Sequence, residues 1–294
     1  MKTRDLRVIR VFDPWKSPLC TCPPKYSLQP YTRCSHQCLY CYATSYIGRG
    51  RSTPKKNLLR NLLHDLKYID KKYHINLSTS SDPYPPEELE YKLTREVLRM
   101  LINAGCRVLI TTKSSLVTRD LEVIARGRVA VMITVTTLDS NLARVLEPGA
   151  PSPGERLHAI EELAKRGIPV GVRIDPIIPY LNDEPDELRE LVKTVIDLGA
   201  RHVVTSTYKA KPDNLARMCQ AYPDLAQRWK RLYVEGGSWI HGYWYLSPEL
   251  RKKLLKPVVE VASARGITYA VCREGLTSET YFKAPTCDGS HLIP

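Results

Sequence analysis

Cys34, Cys38 and Cys41 fall within one short stretch, Cys-Ser-His-Gln-Cys-Leu-Tyr-Cys, with three residues and then two between them. A loop with that CxxxCxxC spacing can wrap three thiolates round an iron-sulfur cube and leave one iron without a protein ligand. An iron left open in this way can bind substrate. Structural zinc fits less well, because its cysteines usually come as two separated CxxC pairs, and no second pair at comparable spacing follows. Disulfides also fit less well: three neighbouring thiols cannot all pair with one another, and nothing marks the chain as secreted.

Four blocks, in order, carry a family resemblance. They are Tyr31 to Ala43 around the cysteines, Ser81-Asp82-Pro83-Tyr84-Pro85-Pro86-Glu87, Thr112-Lys113-Ser114 with Arg119-Asp120, and Glu147-Pro148-Gly149-Ala150-Pro151. Together they resemble the radical S-adenosylmethionine (SAM) enzymes, most closely the spore photoproduct lyase-like group described as DNA-repair photolyase homologues. The likeness spans residues 25 to 275. It implies a [4Fe-4S] cluster on the three cysteines, which would be both metal ligands and catalytic residues. It implies SAM bound through its amino and carboxylate groups to the open iron, with Tyr40, Ser81, Asp82, Lys113, Thr134 and Arg173 around it. One electron from an external donor such as a ferredoxin or flavodoxin would then release a 5'-deoxyadenosyl radical that takes hydrogen from the substrate.

The separate positions have readings of their own. Lys113 is a compact cation suited to a carboxylate or ribose oxygen, and Thr134 resembles the family's fourth-strand hydroxyl facing the ribose, or else simply packs in its strand. Arg173 is a charge in an apolar run, so it should find a carboxylate, either the cofactor's or that of Asp175. Two departures stand out. Ser78-Thr79-Ser80-Ser81-Asp82 replaces the commoner Gly-Gly-Glu. Thr79 and Ser80 also stand where the lyase is expected to carry a hydrogen-donating cysteine, so the lyase reaction itself does not follow.

The elements that must position these residues read as alternating strands and helices. Apolar or β-branched runs cover Lys25 to Thr32, His74 to Ser80, Arg107 to Thr112, Val129 to Thr136, Ile168 to Ile174 and His202 to Thr207, with helices predicted over Pro54 to Lys72, Glu87 to Ala104 and Glu184 to Leu198. That order predicts parallel strands with right-handed crossovers, and Pro54 and Pro185 suit first-turn positions. The marked residues fall at the carboxyl ends of the strands, where parallel α/β folds keep their functional loops. The expected fold is α/β, a partial (β/α)6 TIM-like barrel of the radical SAM type. The expected division is an N-terminal extension over 1–24, the barrel over 25–275 and a C-terminal extension over 276–294.

A chain of 294 residues with 43% apolar side chains can bury one large core. No apolar run is long enough for a membrane helix and the first residues are too charged for a signal-peptide core, so a cytoplasmic protein without membrane contact is expected. The net charge of +13 is uneven: residues 1–75 hold 15 Lys and Arg against 4 Asp and Glu. Such a field attracts an anionic partner, a nucleic acid or an acidic electron donor, unless it is an ordinary solvated face.

Of the other cysteines, Cys106 and Cys219 read as small buried hydrophobes. Cys20 and Cys22 precede the barrel and Cys272 and Cys287 follow its strands, so these four could meet and hold a second [4Fe-4S] cluster, a zinc ion or disulfides, or remain free thiols. The aromatic run Trp239 to Tyr245 beside Arg273 could be core packing or a stacking surface for an unpaired base. The leading reading is a radical SAM enzyme acting on a macromolecule such as nucleic acid. The alternatives are a peptide- or small-molecule-modifying member with an auxiliary cluster, and a non-catalytic iron-sulfur electron-transfer protein.

Overall fold

The computed structural model describes residues 5–12 and 17–294. Its main sheet has eight strands: β1 (Arg10–Phe12), β2 (Lys25–Leu28), β3 (Ile75–Leu77), β4 (Arg107–Thr112), β5 (Arg128–Thr134), β6 (Val170–Ile177), β7 (His202–Thr207) and β8 (Thr268–Val271). They lie side by side in sequence order. β1 runs antiparallel to β2, and the other neighbouring pairs are parallel. β1 and β8 are the two edges, and among the described residues no strand pairing joins them. The sheet is therefore open and mostly parallel, the α/β arrangement expected of a partial barrel.

The six expected parallel strands are present, and a seventh, β8, had no strong signal because it is only four residues long and lies in an aromatic and cysteine-bearing stretch. Pro54 does not open a helix: Thr53–Pro54 pairs with Tyr31–Thr32, and the helix begins later, at Leu58–Asp65. The helix expected from Glu87 to Ala104 is two helices, Glu88–Tyr91 and Leu93–Asn103, broken at Lys92 with φ +48°. Pro185 does sit in the first turn of its helix, Pro185–Asp197.

The strands bury both faces, as a parallel sheet covered by helices must. On the inner face the lower barrel is apolar, with Leu109, Ala130, Met132 and Val204 packed against Ile293 near the C-terminus. Gly289 makes this plug possible: it sits at φ +84°, and a Cβ there would lie 2.4 Å from Met132 Sδ. Higher up, the inner face turns polar, with Ser27, Asn76, Thr111, Thr134, Arg173 and Ser206 lining a cavity. The C-terminal segment thus packs on the inner face of the sheet. No helix among the described residues is long and apolar enough to cross a membrane.

The N-terminal strand is moored by one side chain. The Asp65 carboxylate accepts hydrogen bonds from the N–H groups of Arg7 (2.9 Å), Val8 (2.8 Å) and Ile9 (2.9 Å). Burial pushes this carboxyl up, but the three amides outweigh it and hold its pKa below the ordinary value. Asp65→Ala leaves those donors unpaired and is expected to cost about 2–3 kcal/mol, read as a lower urea midpoint.

Candidate active site

The cavity, of about 400 Å³, lies at the carboxyl ends of the parallel strands, within the size range of small-molecule sites. Cys34, Cys38, Tyr40, Cys41, Asp82, Lys113, Thr134 and Arg173 all line it. Ser81 does not: it is buried behind the wall, where its carbonyl accepts from the Ser78 hydroxyl. Ser78, with φ +77°, turns the chain so that Ser78, Thr79 and Ser80 face the cavity instead.

The cysteine loop is held along its whole length. Gln37 adopts φ +53° and donates from Nε2 to the carbonyls of Cys34 (2.8 Å) and Gly50 (2.7 Å). Ser35 and Ser52 exchange backbone-to-hydroxyl hydrogen bonds of 3.0 and 2.8 Å, and the Ser35 hydroxyl also donates to Glu87 Oε1 at 2.8 Å. The block at Glu147 to Pro151 holds the other side. Leu39 N–H donates to the Leu146 carbonyl at 2.8 Å, and Gly149 N–H donates to the His36 carbonyl at 3.0 Å. Ser152 then caps the helix Pro153–Lys165 in a capping box with Glu155, which fixes where that block ends and the helix begins.

Glu147, not singled out by the sequence reading, is the charge centre beneath the loop. One of its carboxylate oxygens accepts from the Tyr40 hydroxyl and from Thr136 Oγ1 (3.0 Å). The other pairs with Arg156 Nη2 at 2.5 Å, and Lys113 Nζ lies 3.9 Å from the carboxylate and 5.6 Å over the Tyr40 ring. Lys113 is therefore tied to the floor of the loop. Asp82 is also committed: it accepts from Tyr84 N–H (2.9 Å), Thr112 Oγ1 (2.6 Å) and Lys113 N–H (2.8 Å), and faces His36 Nδ1 at 3.4 Å. Arg173 pairs with Asp175 at 2.5 Å, the second of the two partners expected for it. Ser206 donates to the other Asp175 oxygen at 2.5 Å. Thr134 is buried against the cavity and its carbonyl accepts from Arg156 Nη1 at 3.2 Å. Arg119 and Asp120 instead join Glu88 and Arg95 in an ion network, with Arg119 Nη2 2.6 Å from Glu88 and Arg95 Nη1 2.8 Å from Asp120.

Two further features reach the same cavity. Cys20, Cys22 and Cys272 line it, and Cys287 Sγ lies 3.6 Å from Cys22 Sγ. Arg273, at φ +56°, is only 6% exposed; its guanidinium lies 4.4 Å from the Tyr243 ring centroid and 5.7 Å from that of Tyr42, and its Nε and Nη2 have no hydrogen-bond partner. The hairpin Ser238–Ile240 with Tyr243–Tyr245 divides the aromatic run: Tyr243 and Tyr245 are buried and Trp239 is exposed.

The donor set fits a cluster. Burial pushes the Cys34 thiol up to about 12 and pushes the Cys38 thiol up as well, so thiolates in this loop need a metal as counter-charge, and a coordinated thiol is deprotonated. The fold and this loop define a class, an α/β protein with a three-cysteine cluster loop at the mouth of an open parallel barrel. Residues 28–208 match the radical SAM superfamily, and the chain belongs to it and is a radical SAM enzyme. An uncharacterised protein of Mycobacterium tuberculosis is 28% identical over 255 residues, 80% of this chain and 73% of that one. Another, from Methanocaldococcus jannaschii, is 35% identical over 166 residues, 54% of this chain and 62% of that one. A spore photoproduct lyase mutant with bound AdoMet and dinucleoside spore photoproduct shares the fold, with TM-score 0.67 and 21% identity over 92% of this chain and 81% of that one.

Proposed function

We propose that this enzyme abstracts hydrogen from a nucleic acid presenting an exposed, modified or damaged base. The observation that carries the reading is Arg273. A buried guanidinium with unpaired N–H groups is costly, and two tyrosine rings offset only part of that cost. A phosphate in the cavity would complete its hydrogen bonds, while Tyr42, Tyr243 and the exposed Trp239 offer faces for an unpaired base. The left-handed backbone at Arg273 is strain of the kind kept at functional sites. The basic first quarter of the chain and the photoproduct bound in the structurally similar lyase point the same way.

When bound, a [4Fe-4S] cluster and S-adenosylmethionine supply a 5'-deoxyadenosyl radical once an external one-electron donor has reduced the cluster. Cys34, Cys38 and Cys41 would hold that cluster, and Thr134 and the Arg173–Asp175 pair would contact the cofactor. Tyr40, Asp82 and Lys113 act by fixing the loop and the adjacent strand ends through Glu147 and His36. Thr79 and Ser80 face the cavity where the lyase-like thiol is expected, so the outcome of hydrogen abstraction differs from that of the lyase. Cys20, Cys22, Cys272 and Cys287 belong to the same reading as ligands of a second metal centre.

Anaerobically reconstituted protein with dithionite and SAM should form 5'-deoxyadenosine; a loaded cluster that never does so overturns the radical reading. Binding of a single-stranded oligonucleotide should weaken steeply with salt. In Arg273→Gln the slope of log K against log salt should fall by about 1. Salt-insensitive binding would instead select the second reading, a peptide- or small-molecule-modifying enzyme, which the extra cysteines favour.

A further inference from the structure

The second cysteine set sits where the sheet is open. Cys20 and Cys22 lie just before β2, near one end of the sheet, and Cys272 directly follows β8, the opposite edge. Cys287 joins them from the C-terminal tail and touches Cys22. A buried ion pair clamps the two ends of the chain beside this point: Lys25 Nζ lies 2.6 Å from Asp288 Oδ2, with the side chains 2% and 5% exposed, and His74 Nε2 lies 3.4 Å from the same oxygen. All four cysteines are free thiols.

We infer that Cys20, Cys22, Cys272 and Cys287 bind a fully ligated iron-sulfur cube that staples the two ends of the open sheet. This rests on the reading of these residues as metal ligands and is independent of the radical chemistry at Cys34. A disulfide does not fit, since the 3.6 Å between Cys22 and Cys287 far exceeds a sulfur–sulfur bond. A single zinc would gather its thiolates to about 3.8 Å from one another, given tetrahedral bonds of about 2.3 Å. Among the described residues, the one group of three or more His, Cys, Asp or Glu donors whose ligand atoms all lie within 4.8 Å is His158, Glu161 and Glu162, on a helix surface. Cys22 and Cys287 lie 3.6 Å apart, but no three of the four thiols gather within 4.8 Å of one another, and neither do Cys34, Cys38 and Cys41. A cube suits the wider spacing because it offers each thiolate its own iron corner. Lys25 beside Cys22 and Arg173 beside Cys272 supply positive charge next to the thiolates. The sulfurs from both ends of the chain then cross the gap that, among the described residues, no hydrogen-bonded strand pair crosses.

The test is iron, acid-labile sulfide and zinc analysis of the full chain after anaerobic reconstitution. Wild type should hold about eight irons, and Cys34→Ala/Cys38→Ala/Cys41→Ala should keep about four, with matching sulfide. Cys22→Ser/Cys272→Ser should lose about half of the wild-type iron, whereas Cys106→Ser should lose none. A triple variant without iron, or with zinc and no sulfide, overturns the inference. Loss of the Cys34 cluster alone would show instead as a Cys22→Ser/Cys272→Ser protein with no iron. Oxidative removal of iron from the triple variant should lower its melting temperature, and an unchanged melting temperature overturns the stapling role. If the double variant fails to fold, the wild-type count and the triple variant still decide.

Discussion

Gly149→Ala is expected to empty the three-cysteine loop, with iron in that loop and 5'-deoxyadenosine formation each falling at least about tenfold. The cause is steric and local. A Cβ on Gly149 would lie 2.0 Å from the Ser35 carbonyl oxygen and 3.0 Å from His36 Cα. Both are backbone atoms, so no side chain can swing away. The loop must move as a unit, yet Ser35 is tied to Ser52 and Glu87, and the His36 carbonyl is bonded to Gly149 itself. The displacement falls between Cys34 and Cys38, whose separation a cluster must match. Overpacking of this kind costs about 1–3 kcal/mol, which the large barrel core should tolerate, so far-UV circular dichroism should stay native. Gly154→Ala, where a Cβ would meet nothing within 4 Å, is the control and should load normally. Wild-type iron in Gly149→Ala would refute the argument.

That close approach explains what could and could not be read from the chain. The cysteine spacing is local, so its chemistry was legible from eight residues, and the β-branched runs marked six strands for the same reason. The Glu147 to Pro151 block could be seen as a motif, but its two duties could not: Tyr40 and Glu147 stand 107 residues apart. The plugging tail and the Lys25–Asp288 clamp, 263 residues apart, depend on chain closure, for which no local pattern exists. Local propensity also misled in places. Pro54 suits a helix start but is paired in an extended segment, because the chain from Tyr31 returns beside it to hold the loop. Lys92 is an ordinary helix former, yet it breaks its helix at a left-handed backbone, where the buried Glu88 carboxylate accepts from Thr94 N–H at 2.9 Å. The charge of Arg273 and its aromatic neighbours are visible in the sequence, but its burial without a full set of partners is a property of the folded site.

Replacing the carboxylate beneath the loop should have the largest effect on stability. Glu147→Gln preserves the shape and removes the charge, leaving Arg156, only 1% exposed, as a buried cation without its counter-ion. Breaking a buried pair from one side costs about 3–5 kcal/mol, a large part of the roughly 5–15 kcal/mol that holds a domain folded. Lys113 also loses its nearest carboxylate, and Tyr40, one residue before Cys41, exchanges a charged acceptor for a neutral one. The effect should depend on pH in a definite direction. Burial pushes the Glu147 carboxyl up, but Arg156 and Lys113 outweigh it and hold the folded pKa below the ordinary 4.5. A depressed carboxylate contributes stability that is complete above the unfolded pKa and is lost as pH falls through the folded one. The variant lacks that contribution at every pH. Urea midpoints of the two proteins should therefore differ most near neutrality and converge below about pH 4.5, as wild type protonates. A gap that stays constant down to the acid limit would mean that the charge of Glu147 does not stabilise the floor of the loop.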